Sequence, residues 1–295
     1  MTSTTSSTTG PLLDRHVKVL CRPDGRVQLG WDPERAVVVS PPSGIPAEDL
    51  VMVLQLFDGT SSWPHIVWSA LRYGATPDDM SVLLAELSRA GLVGEPRVDP
   101  IPDPSIHIHG RGPLSDGVAG ALSGTTVRVT RSADGDGYSP STSATTCVVL
   151  ADDLVVEPTL AAELVRAGTP HLHTRLRDGC GVVGPLVLPG RTSCLRCADL
   201  LRATHDQHWP HLAAQLLGSV GTASAATILA TTALTIAQID AICTPIPHEP
   251  PAALDSTLEI GLSSPRIVTR RWAKHRQCSC RYLAPDAGIG ADLRP

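Results

Sequence analysis

Residues 106–122 read IHIHGRGPLSDGVAGAL and set the architecture of most of the chain. A short alternating run predicts a strand, a glycine-rich turn follows it, and Pro113 is well placed to open a helix. A helix is also predicted over 159–167. Further strands are predicted over 125–130, 147–153, 171–176, 181–188, 256–262 and 266–271. Repeated alternation of strand and helix predicts an α/β domain with a largely parallel sheet.

The turn at Gly110 and Gly112 lies between a strand and a helix, which is the position of a phosphate-binding turn. It departs from the dinucleotide fingerprint because Ser115 stands where the third glycine is expected. Asp152 and Asp153 end a strand, where they could hold Mg²⁺ or cap a following segment. Two interpretations stay open: a degenerate site in which Gly110, Gly112 and Asp152 bind ATP, or a tight turn without nucleotide. Because the third glycine is missing, ATP and Mg²⁺ are not expected cofactors.

Four of the eight cysteines form two close pairs, Cys194-Leu-Arg-Cys197 and Cys278-Ser-Cys280. Four thiolates can surround one tetrahedral zinc ion at about 2.3 Å, and a complete set of four leaves no open coordination position. The spacing predicts a structural zinc site that joins segments 80 residues apart. The alternative is two separate pairs of free or redox-active thiols.

The first third of the chain predicts a separate small domain. Three short strands are expected within 16–40, and three helices are expected over 46–57, 62–73 and 76–90, an order and size typical of a winged-helix domain. The four prolines of 95–104 predict a stiff linker. The expected organisation is a disordered tail at 1–15, a winged-helix domain at 16–94, a linker at 95–104, an α/β zinc domain at 105–283 and a tail at 284–295.

Residues 184–199, GPLVLPGRTSCLRCAD, together with the second cysteine pair, resemble the ThiF-like subunit of bacterial azoline-forming cyclodehydratases. This family is also called thiazole/oxazole-modified microcin leader-peptide-binding proteins, and the resemblance covers nearly the whole chain. It implies a Rossmann-like fold of the ubiquitin-activating type, a four-cysteine zinc site and an N-terminal winged helix that recognises a peptide. Arg276 stands where the family usually has proline. The polar stretch 131–146 also lacks the basic residues with which adenylating relatives contact nucleotide.

The leading hypothesis is a non-catalytic partner subunit that binds the leader of a ribosomally made precursor peptide and presents it to a separate cyclodehydratase. The peptide is expected to pair with the edge of the small sheet and to lie against the third helix. The residues predicted for this contact are Val37, Val38, Val39, Val82, Leu83 and Glu86. The alternative is an adenylating enzyme of the ThiF type that uses ATP and Mg²⁺. A third hypothesis is a zinc-containing winged-helix regulator that binds DNA.

Composition limits the partners. The net charge is −5, and the third helix carries three acids against Arg89, so nucleic acid is not an expected partner. Residues 212–239 lack charge but are rich in alanine, serine and threonine, which predicts a buried helix, interrupted near 218–221, and not a membrane span. The same small-residue segment predicts a homodimer through the α/β domain. Sparse cysteines and the absence of a signal-like N-terminus predict a cytoplasmic protein.

Overall fold

The computed structural model describes residues 10–42, 44–94, 103–133, 136, 138–140, 145–243, 250–262 and 266–282. Contacts divide the chain into two compact units, Met1–Pro100 and Ile101–Pro295, each with a hydrophobic core of its own. Most of the predicted linker, the first nine residues and the predicted tail at 284–295 lie outside the described residues.

The first unit combines short strands with three helices. Its strands are β1 (Leu12–Leu13), β2 (Val19–Cys21), β3 (Val27–Leu29), β4 (Val37–Val39) and, after the helices, β5 (Val93–Gly94). Its helices are α1 (Ala47–Leu54), α2 (Trp63–Leu71) and α3 (Pro77–Arg89). Strands β2, β3 and β4 form an antiparallel sheet in that order, and β1 pairs with β5. The described residues therefore contain the predicted order of three strands followed by three helices.

Residues 10–13, which were predicted to belong to a disordered tail, are part of the first unit. Gly10 is buried, and Leu12 and Leu13 pair with Gly94 and Val93. A strand of two residues is too short to show hydrophobic periodicity, and it follows a polar segment. The sequence pattern therefore did not predict it.

Helix α3 shows how local sequence fixes the first unit. The Thr76 side chain accepts a hydrogen bond from the Asp79 N–H at 3.2 Å, and the Asp79 carboxylate accepts one from the Thr76 N–H at 2.9 Å. This reciprocal capping box satisfies amide groups that the first helical turn leaves free. Met80, Leu83 and Leu87 then face the core. Leu83 is only 3% exposed and packs in the core, so its predicted contact with a peptide stays a prediction.

The second unit follows the predicted alternation at first and then departs from it. Its helices are α4 (Pro113–Leu122), α5 (Pro158–Arg166), α6 (Leu195–His205), α7 (Trp209–Gln215) and α8 (Ala225–Cys243). Its strands are β6 (Ser105–His109), β7 (Arg128–Ser132), β8 (Cys147–Asp152), β9 (His171–Arg177), β10 (Cys180–Val187), β11 (Ser256–Gly261) and β12 (Arg266–Arg271). These seven strands form one sheet in the order β12-β11-β10-β9-β8-β6-β7.

The sheet is parallel in only one half. Strands β7, β6, β8 and β9 are parallel to one another, whereas β10, β11 and β12 add to them in antiparallel fashion. The predicted parallel arrangement is present in four of the seven strands, and the antiparallel pairing of the other three was not predicted. The cause is the two-residue turn Asp178-Gly179, in which both φ angles are positive, 52° and 77°. That geometry is typical of a type I′ hairpin, so the chain reverses at once and forms no helical crossover.

Helix α8 packs against α4 and the sheet. The Thr235 hydroxyl lies 3.0 Å from that of Thr174 on β9, and Thr232 contacts Gly117 on α4 so closely that a Cβ there would lie 2.8 Å from its hydroxyl. The predicted interruption is present, because α7 ends at Gln215 and α8 begins at Ala225. Among the described residues α8 alone is long and apolar enough to cross a membrane by length and composition, and 39% of its most apolar window is buried.

Candidate functional site

The four predicted ligand cysteines lie together in the second unit. Cys194 precedes the first residue of α6, and Cys197 lies in its first turn. Cys278 and Cys280 lie at a short 3₁₀ turn, Ser279–Tyr282, that follows β12. All four are buried, and their sulfur atoms lie within 4.8 Å of one another. The structure therefore joins the two segments in the way that the spacing predicts.

The distances between the sulfur atoms fit a tetrahedral metal centre. The Sγ atom of Cys194 lies 3.8 Å from that of Cys197 and 3.6 Å from that of Cys278, and the Sγ atoms of Cys197 and Cys280 are 3.4 Å apart. Four sulfur atoms at about 2.3 Å from one ion stand about 3.8 Å apart in a regular tetrahedron. These four residues could hold a metal ion without a change of fold.

Hydrogen bonds prepare one thiol of the centre for the charged state. The Cys194 thiol donates to Cys197, and a main-chain hydrogen bond at His275 also reaches that sulfur; together they lower the pKa of Cys197 to about 4. Burial raises the pKa of Cys280 to about 12. A metal ion would have to displace that proton, because the thiolate is the metal ligand. His275 itself is half-buried, and its Nδ1 accepts from the Gln277 N–H at 3.3 Å.

Two loops around the four-cysteine cluster are held by residues outside the cluster. The Asp255 carboxylate accepts from the Ser193 N–H, next to Cys194, and the Asp255 carbonyl accepts from the Trp272 N–H. The Lys274 Nζ donates to the Gly190 carbonyl at 2.8 Å. The two cysteine-bearing segments are thus connected by hydrogen bonds besides the sulfur contacts. Of the basic residues near the second cysteine pair, Lys274 makes one of these connecting hydrogen bonds.

The predicted nucleotide turn is occupied by a side chain of the protein. The Asp152 carboxylate accepts from the Leu114 N–H at 2.8 Å and from the Ser115 N–H at 3.0 Å. These amides form the N-terminus of α4, where a phosphate would bind in a dinucleotide site. Asp152 is 1% exposed and has a φ angle of 78°, so the carboxylate ends β8 and caps α4. The Asp152 carboxylate is thus already engaged at the N-terminus of α4, and its predicted roles in binding Mg²⁺ or in capping the following segment stay predictions.

Close packing explains both glycines of the turn. A Cβ at Gly112 would lie 2.7 Å from the Asp152 carboxyl carbon. Gly110 has a φ angle of 146°, and a Cβ there would collide with the Ala151 carbonyl oxygen. The glycines let the turn approach the end of β8, which is the tight-turn interpretation of the motif. Of the acids that the sequence offers nearby, Asp134 lies outside the described residues and the Asp136 carboxylate accepts from the Ala133 N–H.

A row of polar residues inside the second unit was not predicted from the sequence. His171, His173 and Arg175 occupy alternate positions of β9 on one face, and all three are buried. His173 Nε2 donates to the Asp153 carbonyl at 2.9 Å, and its Nδ1 accepts from Arg175 at 2.8 Å. A signal was present in the sequence, because HLHTRLR has a histidine or an arginine at every second position of 171–177.

The buried histidines predict an acid-sensitive second unit. Burial lowers the pKa of His171 to about 4 in the folded protein, whereas a histidine in the unfolded chain has a pKa of about 6.5. Below about pH 6.5 only the unfolded state takes up this proton, so stability is lost as the pH falls from about 6.5 toward 4, by about 2 kcal/mol at pH 5. His171→Leu is expected to reduce the pH dependence of the unfolding free energy between pH 7 and 5, measured by urea titration. The exposed His211→Leu serves as control; equal slopes in both variants would contradict the prediction.

In the first unit, the hydrogen bonds show which residues of β3 direct their main-chain N–H and C=O groups toward β2 and which direct them toward β4. The Gly30 N–H donates to the Lys18 carbonyl at 2.8 Å. Hydrogen-bonded pairs alternate along antiparallel strands, so Leu20 and Gln28 form the next such pair. The main chain of Gln28 therefore faces β2, and the main-chain groups of its two neighbours face β4.

Strand β4 has an open edge at Val38. Val37 and Val39 are opposite Leu29 and Val27, the residues of β3 whose main chain faces β4. The N–H and C=O of Val38 consequently point away from β3, on the side where no further strand follows among the described residues. The predicted edge strand thus has its central residue in position to pair with a further strand.

The other predicted contact residues divide between core and surface. Val39 is fully buried and shares a core with Leu83. Val82 is 67% exposed, and Glu86 is half-buried on the same helix. A ligand that reached α3 would therefore meet Val82 and Glu86, while Leu83 and Val39 stabilise the unit from inside.

Comparison with known proteins finds structural similarity only. No family model and no curated protein sequence matches the chain. E. coli MccB in complex with AMPCPP and MccA is 13% identical, with a TM-score of 0.57, over 92% of this chain and 99% of MccB. The microcin C7 biosynthetic enzyme MccB with N-formylated MccA is 14% identical, with a TM-score of 0.56 and the same coverage. A heterocyclase in complex with substrate and cofactor is 14% identical, with a TM-score of 0.58, over 92% of this chain and 39% of that chain. These values show a shared fold.

Proposed function

We propose that this protein is a non-catalytic partner subunit that binds the leader of a ribosomally made precursor peptide and presents it to a cyclodehydratase. In this proposal the first unit is a winged-helix peptide-recognition domain and the second is a ThiF-like zinc domain. The observation that carries the proposal is the open edge of β4 at Val38, because an extended peptide can add to such an edge as a further strand.

Two lines of support agree on peptide biosynthesis. The solved structures with this fold include MccB with MccA and a heterocyclase with its substrate. The signature around Cys194 and Cys197 resembles the cyclodehydratase partner family. The N-terminus of α4 favours a binding role over catalysis. The Asp152 carboxylate already accepts hydrogen bonds from the amides that would otherwise bind a phosphate.

Val38→Pro is expected to weaken peptide binding about tenfold. Proline removes the N–H that points to the open edge, and one net hydrogen bond together with the disturbed strand pairing is of that size. The probe is the leader half of a precursor peptide encoded beside the gene, carrying a fluorescent label, and the measurement is fluorescence anisotropy with the full chain.

Val38→Thr is the matched control, since threonine keeps the N–H and the β-branched shape. Circular dichroism and metal content should be the same in both variants, because Val38 lies in the first unit and the metal centre in the second. Full-strength peptide binding by a folded Val38→Pro variant would move the binding surface away from β4. Failure of every neighbouring precursor peptide to bind the unaltered chain would contradict the proposed function itself.

The proposal also identifies the metal as zinc. Four thiolates at tetrahedral distances are the ligand set that structural zinc sites use, and the cluster leaves no position for substrate. The protein is further proposed to be a cytoplasmic homodimer that associates through the second unit. Leu229 of α8, which is 70% exposed, offers an apolar contact for that association.

The second candidate function is an adenylating enzyme that uses ATP and Mg²⁺. The fold shared with MccB, whose structure was determined with AMPCPP, favours it. We expect isothermal titration calorimetry of the metal-loaded chain with ATP and Mg²⁺ to give no binding heat in the micromolar range, because Asp152 would have to leave two amide donors. Micromolar, Mg²⁺-dependent binding of ATP would instead support the enzyme.

A further inference from the structure

A large cavity opens in the second unit at the carboxyl ends of β8 and β9. It has a volume of about 1500 Å³, and seven arginines and three aspartates line it. The chain as a whole carries a net charge of −5. Positively charged residues are therefore concentrated in this cavity, although the net charge of the whole protein is negative.

Arg175 is the central feature of the cavity. Its side chain lines the cavity, yet the residue is only 5% exposed. Its guanidinium donates a hydrogen bond, 2.8 Å long, to His173 Nδ1. Within the described ranges, no carboxylate lies at ion-pair distance from its guanidinium. A buried cation of this kind carries a large free-energy cost unless an anion compensates it.

The nearby carboxylates are already engaged. The Asp199 carboxylate lies 2.8 Å from Arg202, and the Glu259 carboxylate lies 2.9 Å from Arg177. Burial, together with the charges of Arg202 and Arg177, lowers the pKa of Arg175 to about 9. The charges of Asp199 and Glu259 favour the charged form of Arg175 but do not offset burial and the two neighbouring arginines, so its positive charge is compensated only in part.

Most of the remaining walls of the cavity are apolar, and one wall reaches the cysteine cluster at Cys194, Cys278 and Cys280. Aliphatic side chains from α5, α6 and the segment after β8 line it, among them Val155, Val165 and Leu201. Trp209 and Trp272 hold the Arg202 guanidinium between them, with ring centroids 5.1 Å and 5.0 Å away. The volume exceeds the roughly 300–1000 Å³ of most small-molecule pockets, so it has room for an extended apolar group.

We propose that this cavity is a second ligand site, which binds an oxyanion (a carboxylate or a phosphate) carried on an apolar body, with Arg175 pairing the oxyanion. The site lies in the second unit and is independent of the peptide edge proposed for the first. Arg is suited to the role because its planar fork pairs with two oxygen atoms at once.

The test is isothermal titration calorimetry of the full, metal-loaded chain with four probes. Octanoate and octyl phosphate combine an anion with an apolar body, octanol has the body alone, and inorganic phosphate has the anion alone. We expect at least one of the two amphipathic anions to bind tenfold or more tightly than octanol and inorganic phosphate. A preference for octanoate identifies a carboxylate ligand, and a preference for octyl phosphate identifies a phosphate ligand.

Arg175→Met is expected to abolish this preference while the variant unfolds at the same temperature as the unaltered chain or higher. Loss of the preference without loss of stability separates ligand binding from a structural role, because replacing a buried, unpaired charge by an apolar side chain is often stabilising. Arg128→Met is the matched control, since Arg128 is exposed on β7 and does not line the cavity.

Three results would overturn the proposal. They are equal affinity of the unaltered chain for octanol and both amphipathic anions, no binding of either anion, and an unchanged preference in a folded Arg175→Met variant. The first two need no variant, so the proposal can be refuted even if Arg175→Met fails to fold.

Discussion

Replacing Cys194 with serine is expected to abolish metal binding and unfold the second unit. Structural zinc sites of four thiolates contribute about 10–16 kcal/mol in small zinc modules, which equals or exceeds the stability of a typical domain. Serine retains the size of the side chain but not the thiolate, and the remaining three sulfur atoms lie buried around an incomplete site. We expect close to one zinc per unaltered chain and less than a tenth of that in the variant, measured by elemental mass spectrometry.

Cys21→Ser provides the matched control, because Cys21 is exposed in the first unit and far in sequence from the cluster. Near-ultraviolet circular dichroism reports both units, because Trp209 and Trp272 lie in the second unit and the other three tryptophans lie in the first. The part of the signal that comes from the second unit should be lost only in the Cys194 variant. The metal assignment fails if the purified, unaltered chain is fully folded and contains no metal.

Replacing Asp152 with alanine is expected to destabilise the second unit by about 3 kcal/mol. The carboxylate accepts from two buried amides of α4, and hydrogen bonds to a charged group contribute about 1.5–3 kcal/mol each, with partial relaxation after removal. The loss of negative charge at the helix N-terminus acts in the same direction. Guanidinium titration, followed through the transition of the second unit, measures the difference.

Asp116→Ala distinguishes this cap from an ordinary acid in the same helix. Asp116 lies in the first turn of α4, but its side chain is 71% exposed and pairs with Arg131 on the surface. Exposed pairs of this kind contribute about 0.2–1 kcal/mol. If Asp152→Ala cost no more than Asp116→Ala, the closure of the α4 N-terminus by Asp152 would have no energetic weight.

Features that depend on short-range chemistry could be predicted from the sequence. The Thr76 cap, the glycine turn at 110–112 and the two cysteine pairs each involve residues within a few positions, and their chemistry restricts the possible structures. The joining of the cysteine pairs needed one further step, the preference of zinc for four thiolates. That preference links segments 80 residues apart without any knowledge of the fold.

Features that depend on tertiary contacts could not be predicted in the same way. The cap from Asp152 to the amides of Leu114 and Ser115 spans 38 and 37 residues, and no local pattern indicates it. The antiparallel half of the sheet is different, because Asp178-Gly179 is a strong hairpin signal between two strands. Its omission left the sheet predicted as largely parallel. The direction of the Val38 main chain follows only from the register of all three strands.

The proposed zinc site also has a consequence for synthesis on the ribosome. Cys278 is added 81 residues after Cys197, and at 5–20 residues per second that delay is on the order of 10 s. During this interval the nascent chain exposes a thiol pair that can be oxidised or can recruit a foreign metal. A cell that makes this protein must therefore keep the half-formed centre reduced until translation has supplied the second pair.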